Sequence, residues 1–110
     1  MAIRKTYPAK VIGGAEINAI IENEEFFGKG RMFAHVRLEK GAVVDWHIHT
    51  DEIEYYYVIS GTGIFTNSDK SEQAVSAGDV CPMTLGGGHA IRQTGEEPLE
   101  FIALILYTGA

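Results

Sequence analysis

The close spacing of turn-forming residues constrains this chain more than any other feature. Thirteen glycines and three prolines interrupt its 110 residues, leaving runs of about five to eight residues rich in Val, Ile, Tyr, Phe and Thr. No apolar stripe with a helical period extends over about ten residues. We therefore expect an all-β fold, a sandwich or a barrel, because short β-branched and aromatic runs between turns are typical of both.

The turn signals define the predicted elements. The predicted strands are Glu16–Glu22, Arg31–Glu39, Val43–His49, Glu54–Ser60, Gly63–Asn67, Glu72–Ser76, Val80–Met83, His89–Gln93 and Leu99–Tyr107. One helical turn is predicted at Asn23–Phe27. Domains usually hold about 100–200 residues, so we interpret residues 1–110 as a single domain.

Charge and composition exclude several classes of partner. The net charge is −6, and the basic residues are scattered, with no run longer than Arg4-Lys5, so a nucleic-acid-binding surface is not expected. The apolar run Phe101–Tyr107 is far shorter than the roughly 20 residues that span a bilayer. The N-terminus lacks the apolar segment of a secretory signal, and the single cysteine, Cys81, cannot form an internal disulfide. We expect a cytoplasmic protein with no membrane partner.

Two strands are apolar or aromatic where an exposed face would be polar. Residues Tyr55, Tyr57 and Ile59 share one face of their strand, and Phe101–Tyr107 is apolar on both faces. A strand that is apolar on both faces needs cover on both. We predict a homodimer in which a second copy covers the outer face; the alternative is an N-terminal arm folded over that sheet.

Three of the four histidines form a pattern with one carboxylate. His47 and His49 are two residues apart on a predicted strand and therefore point to the same face. Glu54 follows after a short loop, and His89 follows the triplet Gly86-Gly87-Gly88, which we interpret as a tight turn. Imidazole nitrogens with a carboxylate suit a divalent transition metal. By itself, however, a His-x-His pair also occurs by coincidence on a surface or in a core, and the quartet becomes specific only in a suitable fold.

Two segments resemble the paired motifs of the cupin superfamily. The first is Gly41-x5-His47-x-His49-x4-Glu54-x6-Gly61, and the second is Gly78-x5-Thr84-x-Gly86-x2-His89-x3-Gln93. The second departs from the family pattern twice, because Thr84 stands where Pro is usual and Gln93 where Asn is usual. With the flanking strands, the resemblance covers about 31–107. It implies a small single-domain cupin, a double-stranded β-helix or jelly-roll barrel.

The resemblance also implies a metal centre. Carried over position by position, it assigns His47, His49, Glu54 and His89 as ligands facing into the barrel; the alternative is a metal-free barrel with a buried polar cluster. Such a set leaves two adjacent positions open on an octahedral ion, which favours Mn²⁺, Fe²⁺, Ni²⁺ or Co²⁺, with Zn²⁺ as a further possibility. Family precedent implies a metal-dependent enzyme acting on a small organic molecule, dioxygenase-like or decarboxylase-like. The alternatives are a non-catalytic module that binds or senses a small ligand, and a sugar isomerase.

Further candidates surround the predicted ligands. Tyr56 lies on the face of Glu54, and Gln93 on the face of His89, so both are candidates for contact with a substrate. Asp51 and Glu52 are predicted to lie in the loop between ligands, as candidate acid–base groups.

Four other side chains are given other interpretations. We interpret His35 as an ordinary exposed or interface histidine, with a general base as the alternative. Trp46 and Ile48 should face away from the ligands, as core or interface residues, and Cys81 should be a small buried hydrophobe.

Overall fold

The computed structural model describes residues 2–109, so Met1 and Ala110, the ends of the predicted domain, lie outside the described residues. The elements in chain order are β1 (Lys10–Ile12), β2 (Ala15–Ile21), a 3-10 turn (Asn23–Phe26), β3 (Gly30–Leu38), β4 (Val43–Ile48), β5 (Glu52–Ser60), β6 (Thr62–Thr66), β7 (Glu72–Ser76), β8 (Val80–Met83), β9 (Gly88–Thr94) and β10 (Leu99–Tyr107). The helical turn is confirmed within one residue. In residues 2–109 no helix is long and apolar enough to cross a membrane.

The strands form two antiparallel sheets. A six-stranded sheet has the order β1-β2-β3-β10-β5-β8, and a four-stranded sheet has the order β4-β9-β6-β7. From β3 to β10 the chain passes from one sheet to the other at every connection except β6–β7, as in a jelly roll. The predicted all-β jelly-roll class is confirmed, although the two sheets do not close into one continuously hydrogen-bonded barrel.

Alternation along β5 and β10 builds the core. Tyr56 and Val58 of β5 are 3% and 0% exposed, and Phe101 of β10 is 1% exposed. Their sequence neighbours Tyr55 and Tyr57 are 41% and 49% exposed. Removal of the inward side chains from water supplies the main stabilisation of the fold, about 25 cal/mol per Å² of apolar surface.

The N-terminal segment extends the six-stranded sheet instead of covering it. β1 pairs with the edge strand β2, and the backbone N–H of Tyr7 donates to the carbonyl of Ala19 at 2.9 Å. The proposed arm over the outer face is therefore wrong for residues 2–12, and the homodimer stays a prediction. β1 itself was not predicted, because its three residues carry no alternating pattern in the sequence. In the structure Val11 and Ile12 are 73% and 65% exposed.

A β-bulge at the start of β3 changes which side chains face the interior. Met32 pairs with Ile105 while Gly30 pairs with the next residue, Leu106, so Arg31 is the extra residue. Gly30 is needed here, since a Cβ at this position would lie 2.5 Å from the carbonyl oxygen of Ile105. Bulges re-aim side chains, and this one turns Arg31 toward the end of the fold that holds the histidines.

Candidate metal centre

The structure brings together all four predicted ligands. His47 on β4 and His89 on β9 are direct register partners in the four-stranded sheet, and Glu54 comes from β5 of the facing sheet. His49 follows β4, and its backbone N–H donates to the carbonyl of Gly87 at 3.2 Å, so the glycine triplet helps to place this histidine. One ligand atom from each of the four lies within 4.8 Å of the others.

Four separations between ligand atoms match those expected around an octahedral ion. Glu54 Oε1 lies 3.0 Å from His49 Nε2 and 2.8 Å from His89 Nε2, and the Nε2 atoms of His89 and His47 are 3.0 Å apart. Glu54 Oε1 and His47 Nε2 are 4.0 Å apart. Donors at about 2.1 Å from an octahedral ion are about 3.0 Å apart on adjacent positions and about 4.2 Å apart on opposite positions.

Two of these buried atoms lack any other partner. His49 Nε2 and Glu54 Oε1 have no hydrogen-bond partner among the described residues, although their residues are only 6% and 3% exposed. A buried polar atom without a partner costs stability. A divalent ion between these atoms would remove that cost, so the residues present fit the predicted metal.

Backbone and side-chain acceptors orient two of the three imidazoles. Nδ1 of His47 lies 2.7 Å from the carbonyl oxygen of Asp45, and Nδ1 of His49 lies 2.8 Å from Glu52 Oε1. If each Nδ1 carries the proton and donates it, Nε2 keeps its lone pair for coordination. His89 is held differently, by its ring stacked at 5.0 Å on Tyr56.

Burial and neighbouring charges set the protonation of this region. Burial lowers the pKa of His47, and the adjacent His89 and His49 lower it further, which favours the neutral imidazole that a metal requires. Hydrogen bonding from Arg31 lowers the pKa of Glu52 and keeps this carboxyl ionised. Burial, followed by the charge of Glu54, raises the pKa of Tyr56, so Tyr56 is a neutral phenol.

A cavity of about 200 Å³ adjoins the cluster. Its polar lining consists of Arg31, His47, His49 and Glu54. Its remaining lining is apolar or aromatic: Ala15, Ile17, Met32, Val36, Val44, Tyr56, Phe101, Ala103 and Ile105. A hollow of about 250 Å³ over β1, β2 and β3 contains none of the four ligands, so we take the smaller cavity as the candidate binding site.

Tyr56 and Gln93, the candidates chosen by strand parity, have different surroundings. Tyr56 lines the cavity and also belongs to the buried core, so its contact with a ligand stays a prediction. Gln93 faces inward on the same side as His89, but its side-chain oxygen Oε1 accepts from the backbone N–H of Gly41 at 2.8 Å. Its amide donates to the carbonyls of Gly95 and Glu97 at 3.1 and 2.7 Å. Gln93 therefore ties loops together, and substrate contact is not supported.

Glu52 and Asp51 differ from their predicted placement in one loop. Glu52 is the first residue of β5 and is 8% exposed, so its assignment to the loop is wrong. Asp51 has a positive φ of 59°, a conformation that Asp tolerates better than most residues, and this turn directs Glu52 inward. There the Glu52 carboxylate accepts hydrogen bonds from Arg31, whereas Asp51 itself is exposed.

The remaining residues lie outside the cluster, and Ile48 is not part of the core. His35 lies on the partly exposed outer face, with Nε2 at 2.9 Å from Glu100 Oε1. Ile48 is 65% exposed, and Trp46 faces outward with the Lys70 ammonium 3.6 Å from its ring centroid. Cys81 is free and buried, and burial raises the pKa of its thiol to about 11.

Sequence reasoning missed Arg31. By simple alternation Arg31 falls on the face opposite to Met32 and Ala34, where an exposed arginine draws no attention. Its place beside the ligands depends on the bulge and on register with β10, and no local signal in the sequence marks either.

Fold and site together define a class of protein. The family model described as the cupin domain matches residues 34–105, and the chain belongs to the cupin family.

Particular relatives are similar over most of their length. A Thermotoga maritima protein named oxalate-binding protein is 37% identical over 94 residues, which are 86% of this chain and 77% of that protein. A crystal structure from Thermotoga maritima, described as a predicted oxalate decarboxylase, has a TM-score of 0.89 and 31% identity. That match covers 97% of this chain and 99% of the other.

A more distant structure shares the architecture. A sugar phosphate isomerase of the cupin superfamily from Silicibacter pomeroyi has a TM-score of 0.71 and 19% identity, covering 94% of this chain and 71% of the other. At that identity it shows a shared fold alone.

Proposed function

We propose that this protein holds a divalent transition metal on His47, His49, Glu54 and His89 and uses it to bind a small carboxylic acid. The observation that carries the proposal is the convergence of four buried or half-buried ligand atoms within 4.8 Å at the wall of a cavity. When bound, the ion would supply a Lewis acid with open positions for carboxylate oxygens.

The cavity supports a small acid as the ligand. Its volume of about 200 Å³ suits a molecule of a few carbon atoms rather than a polymer. Arg31 is the one Lys or Arg among its lining residues; its Nε and Nη2 donate to Glu52, and its Nη1 would be the group that donates to a ligand carboxylate. The relatives' names point the same way, since one is called oxalate-binding and the other a predicted oxalate decarboxylase.

A catalytic role is the second candidate, favoured by the cavity beside the ligands. The acid would bind with one end toward the ion, and the apolar wall that includes Tyr56 and Phe101 would exclude water from it. Decarboxylation of monoprotonated oxalate would break its carbon–carbon bond and give formate and CO₂. Dioxygenation of another small acid is the alternative reaction class.

Calorimetric titration of oxalate into the protein tests the proposal. We expect binding to protein loaded with Mn²⁺ and no binding after removal of the metal with a chelator and dialysis. His49→Ala should abolish metal-dependent binding, while His35→Ala, which alters the histidine outside the cluster, should keep it. Oxalate binding that is equally strong without metal, or the failure of Mn²⁺, Fe²⁺, Ni²⁺ and Co²⁺ to bind at all, would overturn the proposal.

A product assay separates binding from catalysis. Loaded protein is incubated with oxalate, and formate, CO₂ and dissolved oxygen are followed together. Equal amounts of formate and CO₂ without net oxygen uptake would establish decarboxylation. Bound but unconverted oxalate would eliminate oxalate decarboxylation and leave the binding proposal standing.

The cellular setting of this function also stays a prediction. We propose a cytoplasmic homodimer of single-domain chains. Sedimentation equilibrium of wild type and of Tyr57→Lys on the exposed face tests the dimer, because a lysine in a covered apolar interface would favour the monomer.

A further inference from the structure

The Glu52 carboxylate contacts the imidazole of His49 on the side remote from Glu54. Glu52 Oε1 lies 2.8 Å from Nδ1 of His49, while Glu54 Oε1 lies 3.0 Å from Nε2 of the same ring. His49 is thus placed between two carboxylates, one at each ring nitrogen. A neutral imidazole carries one proton, so only one of the two ring nitrogens can donate, and within residues 2–109 only Nδ1 has a hydrogen-bond partner.

Arg31 holds Glu52 in place for this contact. The Arg31 guanidinium donates through Nη2 to Glu52 Oε1 at 3.0 Å and through Nε to Oε2. Such a two-point contact fixes the plane of a carboxylate as well as its position. Glu52 is only 8% exposed, so water competes little for its carboxylate, whereas the Arg31 side chain is 45% exposed.

The position of the proton on His49 decides whether the residue can bind a metal. With the proton on Nδ1, the ring donates to Glu52 and its Nε2 lone pair faces the other three ligands. With the proton on Nε2, the ring could not coordinate a metal through that atom. We propose that Glu52, braced by Arg31, is a positioning residue that holds the His49 proton on Nδ1 and leaves Nε2 for the metal.

Two local backbone features make this arrangement possible. The bulge in β3 brings Arg31 to this end of the sheet, and the positive φ of Asp51 turns Glu52 inward. Both features act on a pair of residues that are 21 positions apart in the chain. The metal part of the inference depends on the proposed function, but the placement of the proton does not.

The protein offers a matched control for Glu52. Glu100 also places a carboxylate oxygen beside a histidine, 2.9 Å from Nε2 of His35, but on the outer face. The variants are Glu52→Ala, Glu52→Gln and Glu100→Ala, with Arg31→Met to remove the brace. Glu52→Gln keeps an oxygen that can accept a hydrogen bond from Nδ1, so His49 should keep its wild-type tautomer in this variant. The variant thereby separates the effect of the hydrogen bond from the effect of the charge.

Nitrogen-15 NMR of the metal-free protein at about pH 8.5 measures the tautomer directly, since imidazole is then largely neutral. We expect His49 in wild type, Glu52→Gln and Glu100→Ala to have a protonated Nδ1. In Glu52→Ala the proton should move toward Nε2, and Arg31→Met should show a mixture. An Nε2 proton in wild type, or an unchanged Nδ1 proton in Glu52→Ala, would refute the proposal.

Metal titration gives a second readout. We expect Mn²⁺ or Ni²⁺ to bind Glu52→Ala about 10–100-fold more weakly than wild type, the range found when partners of ligating histidines are removed. Glu100→Ala should stay within about threefold of wild type. Thermal unfolding of each metal-free variant checks that it is folded. If folded Glu52→Ala binds the metal within threefold of wild type, the claim that Glu52 supports metal binding would be overturned. Absence of metal binding to wild type would refute the proposed function, and the NMR result would still decide the placement of the proton.

Discussion

Metal-linked stability offers the most direct test of the quartet, through the change His49→Ala. An ion that binds only the folded chain stabilises it by about 2.7 kcal/mol when its free concentration is one hundred times Kd. For a chain of 110 residues, 1 kcal/mol corresponds to roughly 4 °C in Tm. We therefore expect Mn²⁺ or Ni²⁺ at that concentration to raise the Tm of wild type by about 10 °C.

His49→Ala should remove most of this gain. The substitution deletes one of the four clustered ligand atoms. If affinity falls about 100-fold, the Kd of the variant equals the free metal concentration. The stabilisation would then be only about 0.4 kcal/mol, or roughly 2 °C. The metal-free variant should also start lower, because Glu52 loses its buried partner at 2.8 Å, at a cost of about 1–3 kcal/mol.

Circular dichroism during heating, with and without metal, measures both quantities. The increment on metal addition is the informative value, since the lower starting Tm of the variant cancels from it. His35→Ala is the matched control, because His35 lies outside the cluster against Glu100, and it should keep the full increment. An equal increment in His49→Ala, or its loss in His35→Ala, would refute the assignment of ligands.

Other consequences concern the core, the turns and the titrating groups. Phe101→Ala should cost about 3–5 kcal/mol in urea unfolding, since Phe101 is 1% exposed; a loss below about 1 kcal/mol would contradict its place in the core. Gly61→Ala should destabilise more than Gly78→Ala, because both have positive φ but a Cβ at Gly61 would lie 2.1 Å from a backbone oxygen whereas Gly78 has open space; equal losses would contradict this reasoning. Cys81, with its pKa raised to about 11, should resist alkylation at about pH 8 until the chain unfolds, and rapid labelling of the folded protein would show that the thiol is accessible. Metal affinity should fall on acidification from about pH 8 to 5, because protonated imidazole cannot coordinate. The lowered pKa of His47 keeps that ring neutral further into acid than a free histidine, which delays the loss. Metal affinity that is unchanged at about pH 5 would nevertheless contradict imidazole coordination.

Local periodicity was enough to predict much of the site from the sequence. His47 and His49 share a face because side chains alternate along a strand, and the same rule placed Tyr56 and Gln93 inward, as observed. The metal quartet and the jelly roll followed from the two cupin-like motifs, whose spacing depends on short turns that lie close together in the chain.

The roles of Arg31, Glu52 and Gln93 depended on tertiary structure. Arg31 reaches the site only because a bulge breaks the alternation, and Glu52 becomes a partner of Arg31 only where β3 and β5 are held in register by β10. Gln93 faced inward as expected, but its loop contacts depend on segments that meet only in the folded chain. The sequence alone determined what alternation and turn spacing encode locally. The folded structure decided which distant side chains form an ion pair or converge on one site, since these partners are set by strand register.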